Sequence, residues 1–242
     1  MLTADVLPTR GTAMLGGFDI LKSQYQVRQL LGYCPQTNPL LPLVTVLEHL
    51  KMFGRIKGIK ESDLNAVCET RMTELSLLPF KNKRAGDLSG GNKRKLCVAI
   101  ALIGEPLVIF LDEPSAGMDP VAKRHMWDLI SSMSATVIIT THLMEEASAL
   151  CDRITIMVDG KLRCLGSEQE IKNACVPACA CVTAPCECPS SSHAVFNTAL
   201  ACFLRVQIRP CIHSRTAPTL LNSLVDGRCP TGTETVTNSP LN

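Results

Sequence analysis

Leu88-Ser-Gly-Gly-Asn-Lys-Arg-Lys-Leu96 and, a few residues on, Leu107-Val-Ile-Phe-Leu-Asp-Glu-Pro114 decide how this sequence is read. In the first stretch two glycines let a backbone come close to an anion, and Ser89 adds a hydroxyl. The stripe Leu96, Ala99, Ile100 and Ile103, ending at Gly104, predicts a helix behind them, so free first-turn amides and a positive dipole end face the same point. A serine-capped glycine turn before any helix would look alike. The second stretch separates the two readings, because an uninterrupted apolar strand there delivers two carboxylates to the edge where open α/β sheets bind ligands.

The residue types at that edge suit phosphoryl chemistry. Asp112 offers the hard oxygen that Mg²⁺ prefers, directly or through water, and Glu113 is placed to act on an attacking water as base or orienting group. A second buried strand, Thr136 to Thr140, runs into Thr141-His142 and brings an imidazole that can donate to a transferring phosphoryl group. Between the strands, Asp119 reads as a helix N-cap and Pro120 as the first helical residue, with Met126, Leu129, Ile130 and Met133 following at helical spacing. This is a βαβ unit. Upstream, Tyr33-Cys34-Pro35-Gln36 closes another short strand with a glutamine amide able to touch both metal and water.

Outward from this centre the chain keeps an α/β pattern to about residue 173. Leu64, Val67, Met72 and Leu75 predict a further helix, with Ser62 as a possible cap. Asp159-Gly160 between Ile154 to Val158 and Lys161 to Leu165 is a hairpin signal, and Ser167 is placed to cap a closing helix. After Asn173 no lysine occurs, three acidic residues remain and seven of the fifteen prolines fall in the tail, so residues 174–242 are expected to be largely disordered, with Ala199 to Ile208 as one possible local element. Eight of the thirteen cysteines lie there; the earlier five, Cys34, Cys68, Cys97, Cys151 and Cys164, read as small buried thiols. Cys179, Cys181, Cys186 and Cys188 lack the usual C-x₂-C zinc spacing. A net charge of +2 gives no basic field for nucleic acid, and the longest apolar runs fall short of the ~18–20 residues that span a bilayer.

Taken in this order the residues resemble the ABC ATPase family. Gln36 matches the Q-loop, Leu88 to Asn92 the signature, Leu107 to Glu113 the Walker B strand, Ser115 to Pro120 the D-loop and His142 the switch histidine. Finer detail is similar to the A subfamily of lipid exporters: Leu15-Gly-Gly-Phe-Asp-Ile20, asparagine at position 92, and Asp112-Glu-Pro-Ser-Ala-Gly-Met-Asp-Pro120. The resemblance implies an α/β, P-loop NTPase-like ATPase domain over residues 1–173, with a helical subdomain at about 40–103. It implies ATP and Mg²⁺ as ligands: Glu113, His142 and Gln36 in catalysis, Ser89, Gly90, Gly91, Asn92 and Asp119 toward nucleotide, Asp112 and Gln36 toward the metal. The implied partners are a second ATPase domain closing head to tail, transmembrane domains and, indirectly, a lipid, at the cytoplasmic face of a membrane.

These 242 residues contain no Gly-x-x-x-x-Gly-Lys-Ser/Thr loop. By the resemblance the chain is expected to begin inside the helix after that loop, to lack the first strands, to bind ATP weakly by itself and to leave a gap in the sheet beside the Walker B strand. A catalytically impaired isoform pairing with intact domains is therefore one alternative. Another is a soluble ABC ATPase of ribosomes or DNA. The 51 residues from 37 to 87, between Gln36 and Leu88, fit a short helical subdomain rather than the long coiled coil of chromosome-type members.

Overall fold

The computed structural model describes residues 3, 6, 8–158, 160–172 and 202–204, all within the first of the two units, 1–209 and 210–242, into which the chain divides. A two-stranded ladder, β1 (Met14–Leu15) and β2 (Phe18–Asp19), and helix α1 (Gln24–Leu30) share a small core of Leu15, Ile20 and Val27. Strand β3 (Leu31–Cys34) then enters the main sheet. Helices α2 (Val46–Ile56), α3 (Glu61–Glu74) and α4 (Gly90–Leu102) follow as a helical section. Next come β4 (Val108–Asp112), α5 (Pro120–Ser132) and β5 (Thr136–Thr140), the expected parallel βαβ unit. Helix α6 (Met144–Leu150) leads to the antiparallel hairpin β6 (Arg153–Val158) and β7 (Lys161–Gly166). Strand β8 (Cys202–Leu204) completes a six-stranded sheet of order β3-β4-β5-β8-β6-β7.

Local chemistry explains the helix starts. Thr45 and Glu48 form a reciprocal capping box at α2, with Glu48 Oε2 accepting from the Thr45 amide at 2.8 Å, so two first-turn donors are satisfied. Ser89 and Asp119 cap α4 and α5 through the amides of Asn92 and Ala122. At Ser167 the hydroxyl accepts from the Glu170 amide and Glu170 Oε2 accepts from the Ser167 amide, ahead of a helical turn at 168–172. The cap expected at Ser62 is not made. Lys60 holds the N-cap position, Ser62 lies inside the first turn, and the acidic residues Glu61 and Asp63 face the positive helix end instead.

The core runs without a break from the helical section to beneath the sheet, with Leu50, Leu64, Met72, Leu96, Ile109 and Leu111 all within 2% of full burial. Helix α4 crosses β3 at Gly32, where an added Cβ would stand 2.2 Å from the Ala101 carbonyl oxygen. Only glycine permits that approach. Truncating a fully buried leucine such as Leu96 to alanine costs about 2–5 kcal/mol.

Several expectations change. Strands β4 and β5 alternate instead of being buried on both faces: Ile109, Leu111, Val137 and Ile139 are buried, whereas Val108, Phe110 and Ile138 are half-buried, because Tyr33, Phe110, Ile138, Asp112 and Thr140 line a hollow on that face. The gap expected beside the Walker B strand is absent too. β4 pairs on one side with β3 and on the other with β5, and the far edge of β5 pairs antiparallel with β8, Ile138 opposite Leu204 and Thr140 opposite Cys202. The local element expected in 199–208 is thus a strand whose backbone groups satisfy β5 and β6. The remainder of 174–242, including the disorder expected there and Cys179, Cys181, Cys186 and Cys188, lies outside the described residues. Of the five earlier thiols, Cys34, Cys68 and Cys97 are buried and Cys151 and Cys164 half-buried. Among the described residues no helix is long and apolar enough to cross a membrane.

Candidate functional site

Parallel register brings three strand ends together. Cys34 stands opposite Leu111 and Asp112 opposite Thr140, so Pro35-Gln36, Asp112-Glu113 and Thr141-His142 all leave the sheet at one edge. Thr140 Oγ1 donates to Asp112 Oδ1, and the Glu113 amide donates to the Thr140 carbonyl at 2.9 Å. Glu113 has φ of 51°, a left-handed conformation unusual for a side chain this large, and is buried. That turn aims its carboxylate at His142, whose Nδ1 lies 2.7 Å from Glu113 Oε1. An ionised carboxylate only accepts, so this bond requires the proton on Nδ1. The His142 side chain is 65% exposed, while Glu113 retains 9%. Behind it, Thr141 is buried and its Oγ1 accepts from the Leu143 amide, fixing the turn that carries the histidine.

Arg94 is a member of this group that the spacing did not single out. It lies in the Lys-Arg-Lys run of α4, which reads as a solvated basic face, yet it is 1% exposed while Lys93 and Lys95 are half-buried. Its Nη1 donates to the carbonyls of Pro35 (2.5 Å) and Gln36 (3.3 Å) and to Asn38 Oδ1 (3.4 Å), and its Nη2 donates to the Asp112 carbonyl. One guanidinium therefore spans from the Gln36 segment to the end of β4, although the Gln36 side chain itself is exposed. Beside it, burial pushes the Cys34 thiol up to about 12, with the Arg94 charge working against that shift.

Ser89, Gly90, Gly91 and Asn92 lie apart from this cluster. Ser89 and Gly90 are exposed, and a Cβ added at Gly90 would meet nothing within 4 Å, so the first turn of α4 presents open space and amides without intrahelical acceptors. A Cβ at Gly91 would come 3.8 Å from Met118 Cγ, which sets the turn against the segment leading to Asp119. Asp119 caps α5 from an exposed position, and its bond from the Ala122 amide holds its carboxyl below the usual range. Among the described residues no hydrogen bond or ion pair links Ser89 to Asn92 with Glu113 or His142. The structure thus joins Gln36, Asp112, Glu113 and His142 at one edge and sets the glycine turn and Asp119 beside each other elsewhere.

The donor set at the edge fits Mg²⁺. Asp112 supplies a carboxylate and Gln36 an amide, and among the described residues no group of three or more His, Cys, Asp or Glu could form a metal cage. Mg²⁺ commonly binds through one or two carboxylates, retained waters and substrate phosphates.

Three parallel strands with carboxylates and a histidine at one edge, and a glycine-led helix apart from them, have the form of a nucleotide-hydrolysing domain, and known proteins agree. Residues 1–116 match the family model described as ABC transporter. The chain is 50% identical over 176 residues to human ATP-binding cassette sub-family A member 2, a match covering 72% of this chain and 7% of that protein. It is 49% identical over 176 residues to the phospholipid-transporting ATPase ABCA3 of Mus musculus, covering 72% of this chain and 10% of that one. The chain thus spans about a tenth or less of the length of these relatives. Its fold is shared with a dimeric ATP-binding cassette in a post-hydrolysis state bound to ADP and Pi, at a TM-score of 0.61 and 22% identity over 66% of this chain and 74% of that one. The chain carries an ABC-type ATPase domain. Within that class it resembles the A subfamily, as the residues around Asn92 and Asp112 to Pro120 implied.

Proposed function

We infer that this chain contributes the catalytic edge and the signature turn of an ATPase that drives lipid movement across a membrane. The observation that carries the reading is the 2.7 Å bond between Glu113 Oε1 and His142 Nδ1 at the C-terminal ends of β4 and β5. Glu113, buried and held by its backbone, accepts a proton from the attacking water or orients it; His142 presents its outer ring nitrogen to the transferring phosphoryl group. Gln36 reaches toward the same water. Asp112 and Gln36 would hold Mg²⁺, which supplies charge neutralisation at the phosphates when bound. Most of the catalysis comes from positioning.

Ser89 and Gly90 are exposed and Gly91 and Asn92 half-buried, and together they suit the γ-phosphate of a nucleotide held by a second ATPase domain, with Asp119 beside that contact. The dimeric state of the ADP-bound cassette supports a head-to-tail pair. We assign residues 1–173 to the ATPase domain, about 40–103 to its helical section and 174–242 to an appendage that returns Cys202–Leu204 to the sheet. The phospholipid-transporting ATPase among the relatives supports a lipid as cargo, transmembrane domains as partners and the cytoplasmic face of a membrane as location.

The test is complementation. An intact ATPase domain with its own signature serine replaced by arginine is mixed with this chain. Recovered ATP hydrolysis that disappears with Ser89→Arg supports the assignment; no recovery with soluble chain counts against it.

A further inference from the structure

Arg94 is the one fully buried cation of the described core, and among the described residues no carboxylate forms an ion pair with it; its charge is met by main-chain carbonyls. We propose that Arg94 is a positioning residue of the ATPase site, a latch that fixes the Gln36 segment against the Asp112 end of β4 and ties both to the helix whose first turn faces phosphate.

The geometry gives the reason. A guanidinium is a rigid planar fork with donors pointing in divergent directions, and Arg94 uses the two sides of that fork on two different elements. Nη1 takes the carbonyls of Pro35 and Gln36 together with Asn38 Oδ1, and Nη2 takes the carbonyl of Asp112. The carbonyl bonded to Nη2 belongs to the residue whose Oδ1 receives Thr140 Oγ1, and the next residue carries the carboxylate at His142. Arg94 touches none of the reacting groups. It sets the distance between a glutamine amide and two carboxylates by holding their backbones. Because it sits one helical turn into α4, five residues after Ser89, movement at the signature turn and movement at the catalytic edge pass through the same side chain. Lysine, with donors on a single atom, cannot serve both sides of the fork.

The proposal rests on the ATPase reading, so its test has one arm that does not. In the 242-residue chain, nitrogen-resolved NMR of arginine side chains should show distinct, slowly exchanging Nη1 and Nη2 signals that vanish with Arg94→Lys. A single averaged signal from a freely rotating guanidinium would overturn the latch whatever the reaction. In the transporter that carries this domain, Arg94→Lys should lower kcat by about 10- to 100-fold with KM for ATP changed less than about threefold. Arg94→Gln, which keeps a planar donor on one side only, should fall with it and reads the same split where Arg94→Lys melts. Leu96→Ala, on the same helix and fully buried, controls for lost stability: it should lower the melting temperature and leave kcat in place. Equal kcat in the Arg94 variants and the wild type, or an equal loss in Leu96→Ala, would reduce Arg94 to packing. A wild-type transporter without ATPase activity would strike the functional reading and leave the NMR result standing.

Discussion

At the C-terminal ends of β4 and β5 the polar groups are already engaged with one another, whereas at the start of α4 they face outward. Asp112 is bonded by Thr140, Glu113 by its own strand neighbour and by His142, and the Gln36 segment by Arg94. Around Gly90 an added methyl would meet nothing within 4 Å. On the function proposed above, the difference separates a pre-organised half-site from a half-site that awaits a surface. Pre-organisation is worth most where charge develops during reaction, because dipoles fixed in advance need no rearrangement at that moment. On the same proposed function, the turn gains more by remaining open, since its amides would have to be free when a partner's nucleotide arrives.

That contrast can be broken at its strongest point first. Glu113→Gln, tested in the pair of ATPase domains proposed above, should lower turnover by about 100-fold or more and leave ATP affinity within a few-fold, as measured by single-turnover hydrolysis and titration. Ser89→Arg should act instead on the pairing of two domains: the chain stays folded by its melting curve while partner-dependent hydrolysis is lost.

A further test concerns what backs the organised half. His142 follows β5, and the far edge of β5 is paired with β8. Ending the chain at 173 should therefore lower the melting temperature and promote association through the uncovered edge, measured by scanning calorimetry and light scattering. An unchanged melting temperature would show that β8 adds nothing to the edge of β5.

Smaller effects sharpen the same picture. Burial pushes the Cys34 thiol to about 12 and Cys97 to about 11, so at neutral pH both remain protonated, and peptide mapping after alkylation should find them labelled only as the chain unfolds. Smallest is the cap at Asp119, whose carboxyl is held below the usual carboxylate range by the Ala122 amide. A depressed folded value means that the ionised cap stabilises fully above the unfolded value and loses that contribution as pH falls through the folded one. The melting temperatures of wild type and Asp119→Asn should differ at neutral pH and converge below that range.

Much of this was legible in the chain because the signals are local. An apolar run ending in Asp112-Glu113 reads as a strand, Asp119-Pro120 as a helix start and Asp159-Gly160 as the turn between two short strands, each set by a few consecutive residues. Ser62 misled because two acidic neighbours met the helix dipole in its place. The hydrogen bond between Glu113 and His142 joins residues 29 apart, and Arg94 meets Pro35 across 59 positions. By itself, then, the sequence determined the α/β class, the motif residues and the strand ends that carry them, because backbone propensity and hydrophobic period act over single turns and strands. Tertiary structure alone decided that the middle cation of Lys93-Arg94-Lys95 is buried and that Cys202–Leu204 closes the edge of β5. Successive residues on a helix point about 100° apart, so one of three adjacent charges can face the core while its neighbours stay near solvent, and a strand edge accepts whichever segment brings matching donors and acceptors.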